Sequence, residues 1–407
     1  MIKVGSDFSG VGAFDQALKR LGINYETIFA CDMDKYARQT FIENYGEPKY
    51  YPENVYDREI PKESIDIYMT SPPCQAFSIA GNRKGESEER GVLFYNSHEF
   101  ILKNKPRYFI FENVKGLLSD DGGKTFQRWI DYLSKSVNGQ PVIFPHEESA
   151  NYHVYHKVLN SKDYGVPQNR ERIFIIGIRD DADNSFIFPP KEHLTKRLKD
   201  ILEDDVDEKY FLSDANLNKI LIGEDSDSIQ CVGNTHPSGN GMNGNVYDEK
   251  GISPTLSTNK GEGIKIKSAT KKGYETAKEG DSINFSQPNS ETRRGRVGKE
   301  VAQTLDTQCN QAIISVKRQP LKFLDRNQKN IEGNYSFVVD TMNTGGVKIE
   351  YQKGFKIRRL TPREAFRLQD FPDSFKMPCS DSQMYKQAGN SITVGVLEKI
   401  INRLIKI

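Results

Sequence analysis

Cysteine is scarce in this chain: there are five, Cys31, Cys74, Cys231, Cys309 and Cys379. Their odd number, their scatter and the lack of any CxxC pair argue against a disulfide framework and a thiolate zinc site, and fit a reducing cytosol. No run approaches the roughly 18 apolar residues that a membrane helix needs, and the N-terminus has no charged-then-apolar leader. An excess of one charge is missing too. Lys and Arg number 57 against 56 Asp and Glu, a net charge of +1, so any nucleic-acid footprint must come from local basic clusters.

At 407 residues the chain is too long for one ordinary core and suits two domains of about 100–200 residues each. Residues 1–180 alternate short apolar runs with helical stretches. "IKVGSDF" leads through a Gly-bearing turn to "AFDQALKRLG", and "YETIFACD" leads to "KYARQTFIENY"; "SIDIYMTS", "PRYFIFEN" and "RIFIIGIR" follow as β-rich runs. This order predicts βαβ units and a covered sheet of mixed or parallel strands. After Arg179 the texture changes. The acidic stretch 199–209 reads as a solvated connector or helix face. From about 229 to 350, Gly, Asn, Ser and Thr dominate, with three weakly similar pieces at 253–266, 302–314 and 338–349. They predict a small β-rich domain. From Arg358 the helical pattern returns, with Thr361 as N-cap and Pro362 at the first helical position. A final amphipathic helix is expected to pack back on the first domain.

Cys74 lies in "TSPPCQAFS", directly after a β-rich run. Two prolines fix an extended turn at a strand end, where an α/β sheet places its ligands. A lone cysteine is commonly a small core hydrophobe; polar, turn-forming neighbours favour a presented thiol here. The polar stretch 81–91 that follows reads as a loop able to close over a site. Glu112, in "YFIFENVKG", ends an apolar run where a carboxylate is costly to bury unless protonated, paired or hydrogen-bonded. It is either a helix cap with Asn113 or a carboxyl of raised pKa able to donate to a ring nitrogen. "PQNRERIFIIGIR" sets Gln168, Arg170 and Arg172 at alternate positions, which sends them to one strand face. That face is either a solvated edge or a holder of phosphate or a base carbonyl. The turn "FSGVG" lets backbone approach a cofactor, although it is not GxGxxG. Asp32, ending the second strand, has the place and charge for ribose hydroxyls, with helix capping as the alternative.

In order, these blocks resemble the DNA cytosine-5 methyltransferase family. "DFSGVGAF", "SPPCQAFS", "FENVKG", "YGVPQNRERIFIIGIR", "RRLTPREAFRLQDFP" and "QAGNSITVGV" are each similar to one of its motifs, and the resemblance covers about 1–180 and 355–407. It implies an α/β fold with a mixed, largely parallel sheet and helices on both faces, Rossmann-like and S-adenosylmethionine-dependent, plus a second, smaller β-rich domain. The catalytic domain is then 1–180 with 355–407, and the target-recognition domain 181–354. By resemblance Cys74 adds to cytosine carbon 6, Glu112 holds a proton toward ring nitrogen 3, and Arg172, helped by Arg170, holds the carbonyl at position 2 of a flipped-out base. Phe8, Ser9, Gly10 and Val11 line the S-adenosylmethionine pocket, Asp32 takes the ribose, Met33 lies against the adenine, and Asn54, Pro73, Leu93, Asn390 and Ser391 complete it. Two departures stand out: Ser6 where the family usually has Asp, and Ala13 where it has a second glycine.

Candidates for DNA contact are Gln75, Ser78, Gln168, Arg293, Arg294, Arg296 and Arg359, with Lys353, Lys356, Arg358, Arg363 and Arg367 as further basic residues near phosphate. The expected partner is double-stranded DNA, with no membrane and no metal. The chain is expected to act as a monomer in the cytoplasm of a bacterial cell, as a stand-alone enzyme of bacterial or phage origin, because it begins at the first motif. Three rival readings remain: an RNA cytosine methyltransferase, disfavoured by the long 180–355 region; a catalytically dead binding module, disfavoured by the presence of Cys74, Glu112, Arg170 and Arg172; and a dinucleotide oxidoreductase, which lacks its glycine fingerprint.

Overall fold

The computed structural model describes residues 1–73, 93–182, 185–212, 231–234, 245–247, 264–317, 322–324, 330–332 and 354–405. Cys74, Gln75, Ser78, the loop 81–91, Lys353, most of the piece 253–266 and all of 338–349 lie outside them. The chain divides into two compact units. The first comprises Met1–Asp204, Glu300–Asn310 and Leu360–Ile407; the second comprises Asp205–Lys299 and Gln311–Arg359. These limits differ from those drawn on the sequence, because 181–204 and 300–310 pack within the first unit and 355–359 within the second.

The first unit is built on an eight-stranded sheet. Its strands are β1 (Ile2–Asp7), β2 (Tyr25–Cys31), β3 (Ile67–Thr70), β4 (Tyr108–Val114), β5 (Ser134–Val137), β6 (Gln140–Pro141), β7 (Tyr152–Asn160) and β9 (Glu171–Ile178), with the two-residue β8 (Gln168–Asn169) outside it. The order is β2-β1-β3-β4-β9-β7-β5-β6. β1 to β4 pair in parallel, as do β5 and β7, while β9 runs antiparallel between β4 and β7. The central strands β4 and β9 are built around continuous apolar runs, as strands covered on both faces must be. Phe109, Ile110 and Phe111 of β4 and Ile173, Phe174, Ile175 and Ile176 of β9 are all buried.

The helical stretches read in the sequence become the first, second, fifth and seventh of the helices, while the third, fourth and sixth have no counterpart among them. The helices are α1 (Ala13–Arg20), α2 (Lys35–Tyr45), α3 (Leu93–Asn104), α4 (Lys124–Leu133), α5 (Pro362–Arg367), α6 (Asp381–Asn390) and α7 (Val394–Ile405). α7 buries Val396, Leu397, Ile400, Ile401 and Leu404, one stripe at helical spacing, and packs against α1. The last helix thus returns to the first unit, as expected. α5 begins as its sequence predicts. The Thr361 hydroxyl accepts from the Glu364 amide at 3.2 Å, and the Glu364 carboxylate accepts from the Thr361 amide at 2.8 Å. The acidic stretch is solvated but anchored, since the Glu203 amide donates to Glu364 at 2.8 Å and Leu198 and Ile201 are buried.

The second unit carries short ladders: β10 (Cys231–Asn234) with β11 (Asn245–Tyr247), β12 (Ile264–Lys267) with β13 (Tyr274–Ala277), and β18 (Lys322–Leu324) with β19 (Asn330–Glu332). Its largest sheet is β15-β14-β17-β20, made of Val297–Gly298, Ser282–Asn284, Gln311–Lys317 and Gly354–Arg359. Ile266, Ala277, Ile283, Ala312, Ile314 and Ile357 form its small core. Between β15 and β17 the chain leaves this unit. Its short β16 (Ala302–Gln303) pairs in parallel with β8 of the first unit's core.

No helix among the described residues is long and apolar enough to cross a membrane, and no metal-binding group of His, Cys, Asp and Glu side chains is present among them.

Candidate active site

The strand order gathers the sequence motifs at one edge of the sheet. β1, β2, β3 and β4 are parallel, so their C-terminal ends lie side by side, and antiparallel β9 contributes its start. Phe8–Gly12 follows β1, Asp32 follows β2, Ser71–Pro73 follows β3, Glu112 and Asn113 lie near the end of β4, and Arg172 near the start of β9. This crevice beyond the strand ends is where open α/β sheets bind ligands.

Phe8 adopts φ 57°, a strained value for a side-chain-bearing residue, and Gly10 (55°) and Gly12 (82°) continue the left-handed turn. Only glycine suits position 12, where a Cβ would also meet the Tyr45 ring at 2.3 Å. The Asp32 carboxylate ties this turn to the next: one oxygen accepts from the Gly10 amide at 2.7 Å, the other from the Asp34 amide at 2.8 Å. Burial pushes the Asp32 carboxyl up, and these amides, with Asp34 the larger, oppose it. The helix cap of α2 is Asp34, whose side chain accepts from Tyr36 and Ala37, so Asp32 is free of the capping role that was its structural alternative. Phe8 packs on Cys31, Val55 and Leu93, an apolar wall beside the turn. Ser9 bonds to the Tyr51 hydroxyl at 3.2 Å, Val11 is buried, and Asn54 organises its own loop by accepting from the Tyr56 amide. Pro73 is exposed. Met33 is 84% exposed, so its expected place against an adenine is not built by protein packing. α6 docks on α2 through Lys386 with Asp34 (2.7 Å) and Thr40 with Gln387 (2.9 Å), which carries Asn390 and Ser391 to its C-terminal end.

Glu112 is a strand residue rather than a helix cap, and it is 8% exposed. Burial raises its carboxyl pKa, and Arg172 and then Arg170 oppose that. Arg172 Nε lies 3.1 Å from Glu112 Oε1. The two are diagonal neighbours on one sheet face, since Val114, not Glu112, is opposite Arg172. The Asn113 amide donates to the Pro72 carbonyl at 3.3 Å, fixing the Pro-Pro stretch beside Glu112.

Four sequence expectations are corrected. The strand breaks at Arg170, between β8 and β9, so strict alternation does not run through the motif. The Arg170 guanidinium is buried and donates to the carbonyls of Leu305 (3.2 Å), Gly389 (3.0 Å) and Ser391 (2.7 Å); it braces the unit instead of joining Arg172 at Glu112. Gln168 is 0% exposed, which takes it off the surface that DNA would reach. Arg296 is 2% exposed, with its guanidinium on the carbonyls of Asn284, Ser286 and Gln287, so it serves the core of the second unit and not phosphate. Of the other basic candidates, Arg367 is held by Asp373 and the Ile201 carbonyl, and Arg363 by the Phe375 carbonyl. Arg294 is exposed with Nε on the Ala269 carbonyl, Arg293 is half-buried, and Arg359 is half-buried over the Phe285 ring at 5.3 Å.

Sequence reasoning missed a buried group directly beneath the turn. Asp7 pairs with Arg58 at 2.9 Å and accepts from the Tyr68 hydroxyl at 2.6 Å. A charged residue ending an apolar strand was the available signal, as at Glu112.

The fold and the crevice define a class: the α/β methyltransferases with a mixed Rossmann-like sheet. The chain matches the family model for C-5 cytosine-specific DNA methylase over residues 2–406, and it belongs to that family. It is 37% identical over 468 residues to the orphan methyltransferase M.SPRI of Bacillus phage SPR, covering 99% of this chain and 97% of the relative. It is 30% identical over 406 residues to the type II methyltransferase M.SsoII of Shigella sonnei, covering 98% of this chain and 78% of the relative. Among solved structures it is similar to the Entamoeba histolytica methyltransferase EhMeth (TM-score 0.59, 16% identity, 100% of this chain and 98% of that one). It is also similar to a putative DNA modification methyltransferase of an E. coli prophage (TM-score 0.54, 21% identity, 100% and 99%). At these identities the structures establish the fold. The protein is a cytosine-5 DNA methyltransferase of the phage or restriction–modification type.

Proposed function

We propose that the protein transfers the methyl group of S-adenosylmethionine to carbon 5 of a flipped-out cytosine in a specific double-stranded sequence, through a covalent bond between Cys74 and carbon 6. The observation that carries this reading is the single crevice that gathers the Asp32-anchored turn, the Pro-Pro stretch before Cys74 and the Glu112–Arg172 pair. The residues present fit the cofactor. The turn exposes backbone, a buried carboxylate ends the second strand where it could accept from ribose hydroxyls, and Phe8, Val55 and Leu93 supply an apolar wall. When bound, S-adenosylmethionine supplies an electrophilic methyl group.

The chain's own residues do the rest. Cys74 thiolate adds to carbon 6, which makes carbon 5 nucleophilic. Glu112, favoured in its neutral form by burial, holds a proton at ring nitrogen 3, and Arg172 is placed to hold the carbonyl oxygen at position 2. Once carbon 5 carries the methyl group, a water or base takes its proton, and the electrons left behind re-form the 5,6 double bond and expel the Cys74 thiolate. The second unit, Asp205–Lys299 with Gln311–Arg359, is assigned to target recognition, where loops on a small β scaffold read base edges in the major groove. The enzyme acts as a monomer in the cytoplasm of a bacterial host.

The covalent step is tested with a duplex carrying 5-fluorocytosine at the target, because fluorine cannot leave as a proton does. With cofactor, the wild type should form an adduct stable to denaturation and Cys74→Ala none; an adduct in the variant would refute the assignment. Separately, Asp32→Ala should weaken S-adenosylmethionine binding by about 1–3 kcal/mol, the scale of a lost charged hydrogen bond. An unaltered calorimetric titration would remove Asp32 from the pocket.

A further inference from the structure

Arg58 is a charged side chain only 2% exposed, and its partner Asp7 is 0% exposed at the side chain. Such a pair is expensive, because desolvating two charges cancels most of their attraction, and an apolar pair of similar volume is often as stable or more so. A buried pair therefore explains itself better by what it fixes than by what it stabilises. Here it fixes three segments at once. Arg58 Nε lies 2.9 Å from the Asp7 carboxylate, the residue before strained Phe8. Arg58 Nη2 donates to the Asn96 carbonyl at 3.3 Å, in the first turn of α3, the helix that Leu93 opens. Arg58 itself closes the short loop begun by Asn54 and Val55, which is folded by the Asp57 amide on the Asn54 carbonyl at 3.2 Å.

The same guanidinium lies over the Phe100 ring of α3, 4.7 Å from its centroid, and the Tyr68 hydroxyl holds the second Asp7 oxygen from β3. In register, Asp7 stands beside Cys31 of β2 and Thr70 of β3. The pair thus sits one residue beneath Phe8 and Asp32. Phe8, Val55 and Leu93, the three walls it joins, are the ones that pack together with Cys31.

We propose that Asp7 and Arg58 are positioning residues for the cofactor pocket: the buried pair sets the spacing between the Phe8 turn, the Asn54–Val55 loop and the start of α3. The inference rests on the S-adenosylmethionine reading above. A purely structural pair would be replaceable without consequence for the ligand; a positioning pair would not.

The double variant Asp7→Leu/Arg58→Met removes both charges and leaves apolar volume. It should melt at or above the wild-type temperature without ligand, yet bind S-adenosylmethionine at least tenfold more weakly by calorimetry on the full chain. Arg58→Lys keeps the charge toward Asp7 but loses the planar fork that reaches Asn96, so it should show a smaller loss in the same direction. Should the double variant not fold, Arg58→Lys decides alone. A folded variant whose Kd stays within twofold of wild type overturns the proposal, as does failure of both variants to fold, which would make the pair a requirement of the fold itself. A wild-type chain that binds no S-adenosylmethionine overturns instead the reading on which the inference stands.

Discussion

Arg170→Ala is expected to lower the unfolding free energy by on the order of 4 kcal/mol, a large share of the roughly 5–15 kcal/mol of an ordinary domain. The guanidinium is the common donor to Leu305, Gly389 and Ser391, whose carbonyls come from two remote stretches of chain. Alanine leaves these acceptors buried and unpaired, and an orphaned buried polar group costs about 1–3 kcal/mol. It also leaves a void that the neighbourhood cannot easily fill. Gly389 already abuts the 300–310 segment, where even an added Cβ would lie 2.5 Å from the Asp306 carbonyl oxygen. Urea unfolding followed by circular dichroism measures the effect. A midpoint that stays at the wild-type value while the rate collapses would return Arg170 to direct contact with the base. Arg172→Ala is the contrast, since that side chain is paired with the Glu112 carboxylate of the neighbouring strand and not with the 305 and 389–391 carbonyls.

Asp15→Asn should abolish a loss of stability that the wild type suffers between about pH 4 and pH 7. Asp15 lies on the buried face of α1 at 1% exposure, with the Thr27 hydroxyl, at 3.1 Å, and a backbone amide donating to its carboxylate. Burial pushes its pKa from 3.8 to about 7. A raised folded-state value means that the native state holds the proton more tightly than the unfolded chain. The favourable contribution is therefore complete below the unfolded pKa and disappears as pH rises to the folded one. At 1.36 kcal/mol per tenfold, the difference amounts to about 4 kcal/mol at pH 8. Asparagine keeps an acceptor for Thr27 and cannot ionise. The two proteins should be equally stable near pH 4 and well separated at pH 8, with the variant the more stable. Parallel stability curves would show that Asp15 does not ionise inside the fold.

Much of the first unit was legible in the sequence, because its signals are local. The apolar run of β4, the period of α7 and the Thr-Pro-x-Glu start of α5 each depend on residues close in the chain. Glu112 was legible for a similar reason, as an isolated carboxylate in a run that must be buried. The failures share the opposite character. Nothing near Arg170 announces that its partners are residues 305, 389 and 391, and nothing near Arg296 announces the carbonyls that enclose it. An arginine reads as surface charge until the chain folds around it. Gln168 was misplaced because strand alternation was carried across a break that the sequence does not mark. The Asp7–Arg58 pair joins the end of β1 to the distant loop begun by Asn54, and only the tertiary fold brings the two together.

The short passage through the first unit at 300–310 bears on how such a gene can diversify. The second unit is encoded as two tracts, 205–299 and 311–359, and the codons between them specify a piece of the other unit. A recombination event that imported the whole of 205–359 from a relative would also import Ala302 and Leu305, whose partners in this chain are the Pro167 carbonyl and the Arg170 guanidinium. A clean exchange needs two breakpoints for each tract, four in all. Mosaic genes of this architecture should therefore carry their junctions near codons 299 and 311 as well as at the outer limits, or show compensating changes at 167–170.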